Sequence, residues 1–168
     1  MISKPYEDIA VGDHSVTGER VIDGEYVREF ADLTWDRHPL HLDEDYAARS
    51  RFGRNIAHGA LMVSTLLGLV ELNPRYLQCF YGMDRLRFTA PAYIGDIVHA
   101  ESTVVSISPS GSGGSAVVSC EAKLKDSDGR ELLSGEFSML VASRDNIMAV
   151  PEPSDDGLTD SAKMEVDR

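Results

Sequence analysis

The sequence is short of the features that mark several large classes of protein. It has two cysteines in 168 residues, Cys79 and Cys120, with no CxxC or Cys/His zinc spacing around them. That argues against a disulfide framework and a structural zinc site, and leaves both as buried, ordinary thiols of a reduced, cytoplasmic protein. Long apolar runs are missing as well. The longest uncharged apolar stretch, Ala60 to Val70, is about half of what a bilayer crossing requires. The first residues, Met1 to Asp8, hold no apolar segment of signal-peptide length. Basic residues are scarce, with 16 Lys and Arg against 28 Asp and Glu and a formal charge of −12. A phosphate-neutralising nucleic-acid face is therefore not expected, and an anionic ligand would need a local arginine cluster working against the overall field.

What is present is enough for one folded unit. A hydrophobic content of 42% beside 26% charged residues is that of a soluble globular chain. The length suits a single domain over residues 1–150. Beyond Val150 the pattern gives way to Pro151-Glu152-Pro153-Ser154-Asp155-Asp156-Gly157, so residues 151–168 are expected as a disordered or loosely attached tail.

Periodicity divides that unit into two kinds of structure. Tyr6 to Gly12 and Ser15 to Val21 read as short extended pieces. Asp23 is placed to cap a helix over Gly24 to Thr34, with Val27, Phe30 and Ala31 on its apolar face. Trp35 to Leu42 reads as irregular, because Pro39 interrupts helix and pushes His38 to an extended conformation. A short helix over Asp43 to Arg49 follows. His58-Gly59 then opens a helix, Ala60 to Val70, that carries no charge and must be covered on nearly every side. After Asn73-Pro74 the period becomes alternating. Tyr81–Thr89, Ile97–Ile107, Ala116–Leu124 and Glu131–Val141 read as strands, with turns at Ser110–Gly114 and Asp126–Gly129. Leu86 and Phe88 would face the helix, and Arg85 and Arg87 the opposite side. The class is α+β, an antiparallel β-sheet curled around a long buried helix. One such layer leaves helix or sheet edge uncovered, so pairing of two chains is expected.

Ionisable groups concentrate at Asp36-Arg37-His38-Pro39-Leu40-His41-Leu42-Asp43, in a chain with only five histidines. Asp36 and His41 flank a proline, and such a bend can aim both side chains into one cleft. Histidine changes protonation near neutrality, and a carboxylate beside it can fix its tautomer or share proton transfer. Surface ion pairing or loop capping would explain these residues equally well. The start of the apolar helix adds an independent signal. Its first N–H groups lack internal partners, the peptide dipoles leave about half a positive charge there, and Gly59 admits close approach. A carbonyl oxygen placed there would be polarised as in an oxyanion hole. Gly59 could equally just relieve crowding, and His58 reads as a structural histidine outside the catalytic set. A metal site from His38, His41, Asp43 and His58 is conceivable on residue types, but the spacing matches no defensible ligand set.

These residues, followed by Tyr46-Ala47-Ala48, Phe52-Gly53 and Ile56-Ala57-His58-Gly59-Ala60-Leu61, resemble the hydratase motif of the MaoC-like dehydratases. The resemblance extends more loosely through Arg87-Phe88-Thr89-Ala90-Pro91 and Gly95-Asp96 to about Val141. It implies the hot-dog fold, a sheet wrapped around a central helix, usually as a dimer or higher homo-oligomer. It implies an (R)-specific enoyl-thioester hydratase acting on an acyl-CoA or acyl-carrier-protein thioester without metal or cofactor. By the same resemblance Asp36 and His41 are the catalytic pair and the Gly59 amide binds the thioester oxygen. His38 stands where the motif usually has Asn, and Leu67 where some members have serine, although Ser64 remains polar. Residues expected around the substrate are His38, Ser64, Arg85 and Arg87, with Arg49, Arg51 and Arg54 completing a basic rim. A hot-dog thioesterase ranks lower because the helix carries no acid before Glu71. A non-catalytic acyl-thioester-binding subunit is the other alternative.

Overall fold

The computed structural model describes residues 1–110 and 114–147. The tail expected at 151–168 and most of the Ser110–Gly114 turn lie outside the described residues.

The chain opens with a single 3-10 turn at Tyr6–Asp8, where an extended piece was expected; Pro5 starts it with a preset φ of −60°. Two short strands follow, β1 (His14–Val16) and β2 (Arg20–Val21). Helix α1 spans Gly24–Thr34, and the Asp23 carboxylate accepts from the Tyr26 N–H at 2.8 Å. Val27 and Ala31, one turn apart, bury its inner face. The helix stops at Trp35, whose φ of 64° is left-handed.

The segment after Trp35 is more ordered than expected. Pro39 starts a one-turn helix, α2 (Pro39–Leu42), instead of breaking one. A proline at the first helical position loses no hydrogen bond, since that N–H has no intrahelical partner anyway. His38 is extended, as a residue before proline should be. Helix α3 (Glu44–Ala48) follows, capped by Asp43.

The apolar helix α4 runs Gly59–Leu69 and is followed by strands β3 (Leu77–Phe88), β4 (Ile97–Pro109), β5 (Ser115–Asp126) and β6 (Glu131–Ala142). They form one antiparallel sheet in the order β1-β4-β5-β6-β3, with β2 also on β4. Alternation sorts its faces: Val98, Ala100 and Val104 of β4 are buried while His99, Glu101 and Thr103 between them are not. Leu124, Leu133, Phe137, Met139 and Val141 continue the buried layer, which meets Leu61, Met62 and Leu66 of α4.

Part of the helix is left uncovered, as expected of a single such layer, and one expectation, on Cys79, is corrected. Helix α4 is covered on one side only: Leu61, Met62, Thr65 and Leu66 are buried, whereas Ala60, Ser64 and Gly68, spaced by one turn, are exposed. The sheet of one chain cannot wrap the whole cylinder. Cys120 is buried, its thiol pushed up to about 11 by burial, but Cys79 on β3 is exposed. Strand β3 is an edge, paired only with β6 among the described residues.

Candidate active site

Three short segments supply the site, the first some fifteen residues before the adjoining second and third. The first is the bend Trp35–Leu42. His38 Nδ1 accepts the Leu40 N–H at 3.1 Å, so this side chain caps α2. His41 sits in the last turn of that helix. The second segment precedes α4. Buried Asn55 donates through Nδ2 to the carbonyls of Leu40 and Asp43, at 3.0 and 3.2 Å, and so pins α2 and α3 against it. The next residue, Ile56, accepts from His41 Nδ1 at 2.7 Å. A carbonyl can only accept, so the His41 proton is on Nδ1 and, in the neutral ring, Nε2 carries the free lone pair. Burial holds the His41 proton affinity below the ordinary histidine value. The Ile56 carbonyl and the Asp36 carboxylate oppose that shift, while His58 and His38 add to it.

The third segment is His58-Gly59, where α4 begins. His58 is 1% exposed, and its Nε2 lies 2.8 Å from the main-chain carbonyl of Asp36. The rings of His58 and His41 pack with centroids 3.8 Å apart. Ligating atoms of Asp36, His41 and His58 all fall within 4.8 Å of one another. The acid and the imidazole are thus together.

A cleft of about 310 Å³ opens beside them, lined among others by His41, Arg51, Phe52, Gly59, Phe88 and Leu132. His41 and the α4 N-terminus therefore face one void. Asp36 is not part of its lining; it lies exposed beside His41. The Phe88 ring closes on Gly59 so tightly that a Cβ there would lie 2.9 Å from Cζ. Glycine at this position lets the Phe88 ring lie directly against the helix end; a larger residue would push the ring aside. A proton-handling pair next to helix N–H groups suits chemistry that moves a proton while charge builds on a carbonyl oxygen.

As a metal centre the same groups fit poorly. A metal lies in the plane of each imidazole ligand, about 2 Å from its nitrogen, but these two rings are stacked with a tilt of only 32°. Planes so nearly parallel meet well beyond ligand distance. Asp43 is engaged as the cap of α3.

The other expected residues divide. His38 reaches the site only through its cap and its edge-on contact with His41, centroids 6.1 Å apart. Ser64 lies on the uncovered side of α4, donates to the Ala60 carbonyl and is not among the residues lining the cleft. Arg85 is not brought to the cleft. A bulge between Asp84 and Arg87, with Arg85 at φ 53°, turns it onto Glu136 in a separate groove. Arg87 donates to its neighbour's carbonyl at Leu86. Of the basic rim, Arg51 lines the cleft, Arg54 stacks on Tyr93 at 3.9 Å, and Arg49 lies in a different pocket. Asn55 had no signal in the sequence, Ile56 and Phe88 were part of the motif without an assigned role, and His58, read as structural from its place directly before Gly59, is a buried hydrogen-bonded ring.

The chain matches the MaoC like domain family over residues 10–123. It is 30% identical over 142 residues to an (R)-specific enoyl-CoA hydratase of Rhodospirillum rubrum, covering 83% of this chain and 92% of that one. It is 37% identical over 107 residues to a 3-hydroxybutyryl-CoA dehydratase of Methylorubrum extorquens, covering 62% of this chain and 66% of that relative. The match to the protein MaoC of Klebsiella aerogenes covers 30% of that relative, so the chain spans less than two thirds of some relatives. Among solved structures it resembles the MaoC-like dehydratase from Rhodospirillum rubrum, with TM-score 0.75, 29% identity, and 84% and 99% of the two chains covered. A Mycobacterium tuberculosis protein with a double hotdog fold superposes with TM-score 0.76 at 18% identity, covering 91% of this chain and 48% of that one, which bears on the fold alone. With its sheet, its helix and its Asp36–His41–Gly59 motif accounted for together, the chain belongs to the MaoC-like domain family and has the hot-dog fold.

Proposed function

We propose that the chain is a hydro-lyase that reversibly adds water, syn, across a trans-2-enoyl thioester to give an (R)-3-hydroxyacyl thioester. The observation that carries this reading is the meeting of Asp36 and the His41 ring within 4.8 Å, with His41 and Gly59 on one cleft. Asp36 and the free Nε2 of His41 hold one water between them. His41 takes a proton as the water oxygen bonds to the β-carbon. The electron pair of the double bond moves onto the thioester oxygen, which the Gly59 N–H stabilises; comparable donors elsewhere are worth roughly 3–4 kcal/mol. Return of a proton from the pair to the α-carbon regenerates the site. The names of the Rhodospirillum and Methylorubrum relatives support this class of substrate.

The acyl carrier is coenzyme A or an acyl carrier protein, and either brings phosphate. Arg51, which lines the cleft, supplies local positive charge within an acidic chain. The working unit in this reading is a homodimer. The exposed Ala60–Ser64–Gly68 side of α4 and the β3 edge, with Phe80, Tyr81, Met83 and Phe88 exposed, are surfaces a second copy would cover. No helix among the described residues is long and apolar enough to cross a membrane. A cytoplasmic location suits the two free thiols.

The test is hydration of trans-2-enoyl thioesters of several chain lengths, on coenzyme A and on acyl carrier protein. Loss of the enoyl absorbance with formation of the (R)-alcohol is expected. Release of free thiol with the enoyl band intact would make the protein a thioesterase. Binding without turnover would make it an acyl-thioester-binding subunit.

A further inference from the structure

The cleft explains what His41 and Gly59 can do, but not what holds Asp36 in step with them. Asp36 is exposed, and its side chain has one long contact, accepting from the His38 N–H at 3.4 Å. We propose that His58 is a positioning residue, locking the Asp36 main chain, the His41 ring and the first turn of α4 into one rigid unit. This rests on the hydratase reading for its catalytic consequence, and on geometry for the lock itself.

Each part of the lock is a separate contact. The Nε2–H of His58 donates to the Asp36 carbonyl at 2.8 Å. The flat face of the same ring backs His41, 3.8 Å away. Its main chain is the N-cap of α4 and sets Gly59 in the cleft wall. Phe30 closes the remaining side, centroids 5.2 Å apart. The other ring nitrogen, Nδ1, is buried and has no hydrogen-bond partner among the described residues. Burying a polar atom unpaired is unfavourable, and phenylalanine would fill this space without it. What an aromatic hydrocarbon could not supply is the N–H that Asp36 receives. The orphaned Nδ1 is thus the cost of having Nε2 where it is.

The test compares the full chain with His58→Leu and His58→Gln. Leucine keeps bulk and donates nothing; glutamine can set an amide N–H close to where Nε2 stood. With crotonyl-CoA, the Leu variant is expected to lose about 100-fold in kcat with KM little changed, as for a displacement of reacting groups by about 1 Å, and the Gln variant to recover about tenfold of that. The His41 ring titration, followed by NMR, should move up in both variants, because the ring packed on it is gone. Parental kcat in the Leu variant, or a Gln variant as impaired as the Leu variant, would overturn the proposal. If the Leu variant fails to fold, the Gln variant decides: a kcat within about tenfold of the parent supports the lock, and a full 100-fold loss rejects it. If the parent hydrates nothing, the hydratase reading fails on its own. The lock is then decided by the His41 titration, which an unmoved midpoint would refute.

Discussion

The imidazoles of His41 and His58 lie face to face at 3.8 Å, and each commits one nitrogen to a main-chain carbonyl. His41 donates Nδ1–H to Ile56, and His58 donates Nε2–H to Asp36. Both rings are thereby fixed in orientation and tautomer by backbone, which is set by the fold and not by titration. The one nitrogen of the two left facing the cleft chemistry is His41 Nε2. That single fact organises how the site should respond to pH and mutation.

His41 must be neutral to accept a proton, and burial first of all holds its proton affinity below the ordinary value. kcat/KM should therefore stay high below about pH 6.5, the ordinary histidine value, and fall only as pH drops through the lowered one. Stability follows the same sign. Below about 6.5 the unfolded chain takes up a proton that the folded His41 still refuses, so stability declines as pH falls across that window. Urea melts from pH 5 to 8 on the parent and on His41→Gln should differ in this slope. An acid limb at or above the ordinary histidine value would contradict the assignment.

Asp36→Asn and His41→Gln should each lower kcat by about 10²–10⁴, the usual worth of general acid–base groups. The double variant should be little worse than either single one, because the two act on the same water. Asp36→Asn should melt like the parent, since that carboxylate is exposed and makes only a long hydrogen bond. Near-parental turnover in both single variants would remove the pair from the mechanism.

Gly59→Ala sets a methyl 2.9 Å from Phe88 Cζ. The ring end can swing, so the fold survives, but it moves into or away from the substrate cleft that it lines. A loss of about tenfold or more in kcat/KM is expected from such displacement. Truncating the ring in Gly59→Ala/Phe88→Leu should recover part of it. If the double variant is worse than Gly59→Ala alone, the close contact is not what glycine relieves.

His38→Ala should cost about 1 kcal/mol, the common loss on removing an N-cap, because Nδ1 accepts the Leu40 N–H. His38→Asn should keep both stability and activity. An amide oxygen can accept that N–H in place of the ring nitrogen. Thermal melts of the three proteins distinguish the cap from a direct substrate contact, which would show in KM instead.

Trp35 ends α1 at φ 64° while 84% exposed. A left-handed conformation costs a non-glycine residue about 1–2 kcal/mol. Trp35→Gly should thus stabilise the isolated chain by about 1 kcal/mol, a rise of roughly 2–4 °C in Tm. A fall in Tm that grows with protein concentration would mean that the ring is held by a second copy.

Much of this molecule could be read from the amino-acid order because the signals are local. The bounds of α1 follow from Asp23 and the apolar spacing, and β4 to β6 from alternation, all set by backbone periodicity within a few residues. Asp36, His41 and Gly59 were legible as a motif for the same reason. The α2 turn was missed because a proline was read as a breaker where it serves as a first helical residue. Arg85 does face away from the helix, as the alternation implied, but it pairs with Glu136 there and does not line the cleft.

The sequence by itself determined the fold class and the family, and pointed to Asp36 and His41 as the candidate pair, since each is written in short stretches whose spacing carries the information. Only the tertiary structure decided the tautomer of His41, the stacking of His58 on it, the closeness of Phe88 to Gly59 and the exposed side of α4. Those depend on contacts between segments 15 to 29 positions apart or more. No local preference encodes such contacts; they exist only once the sheet has packed against the helix.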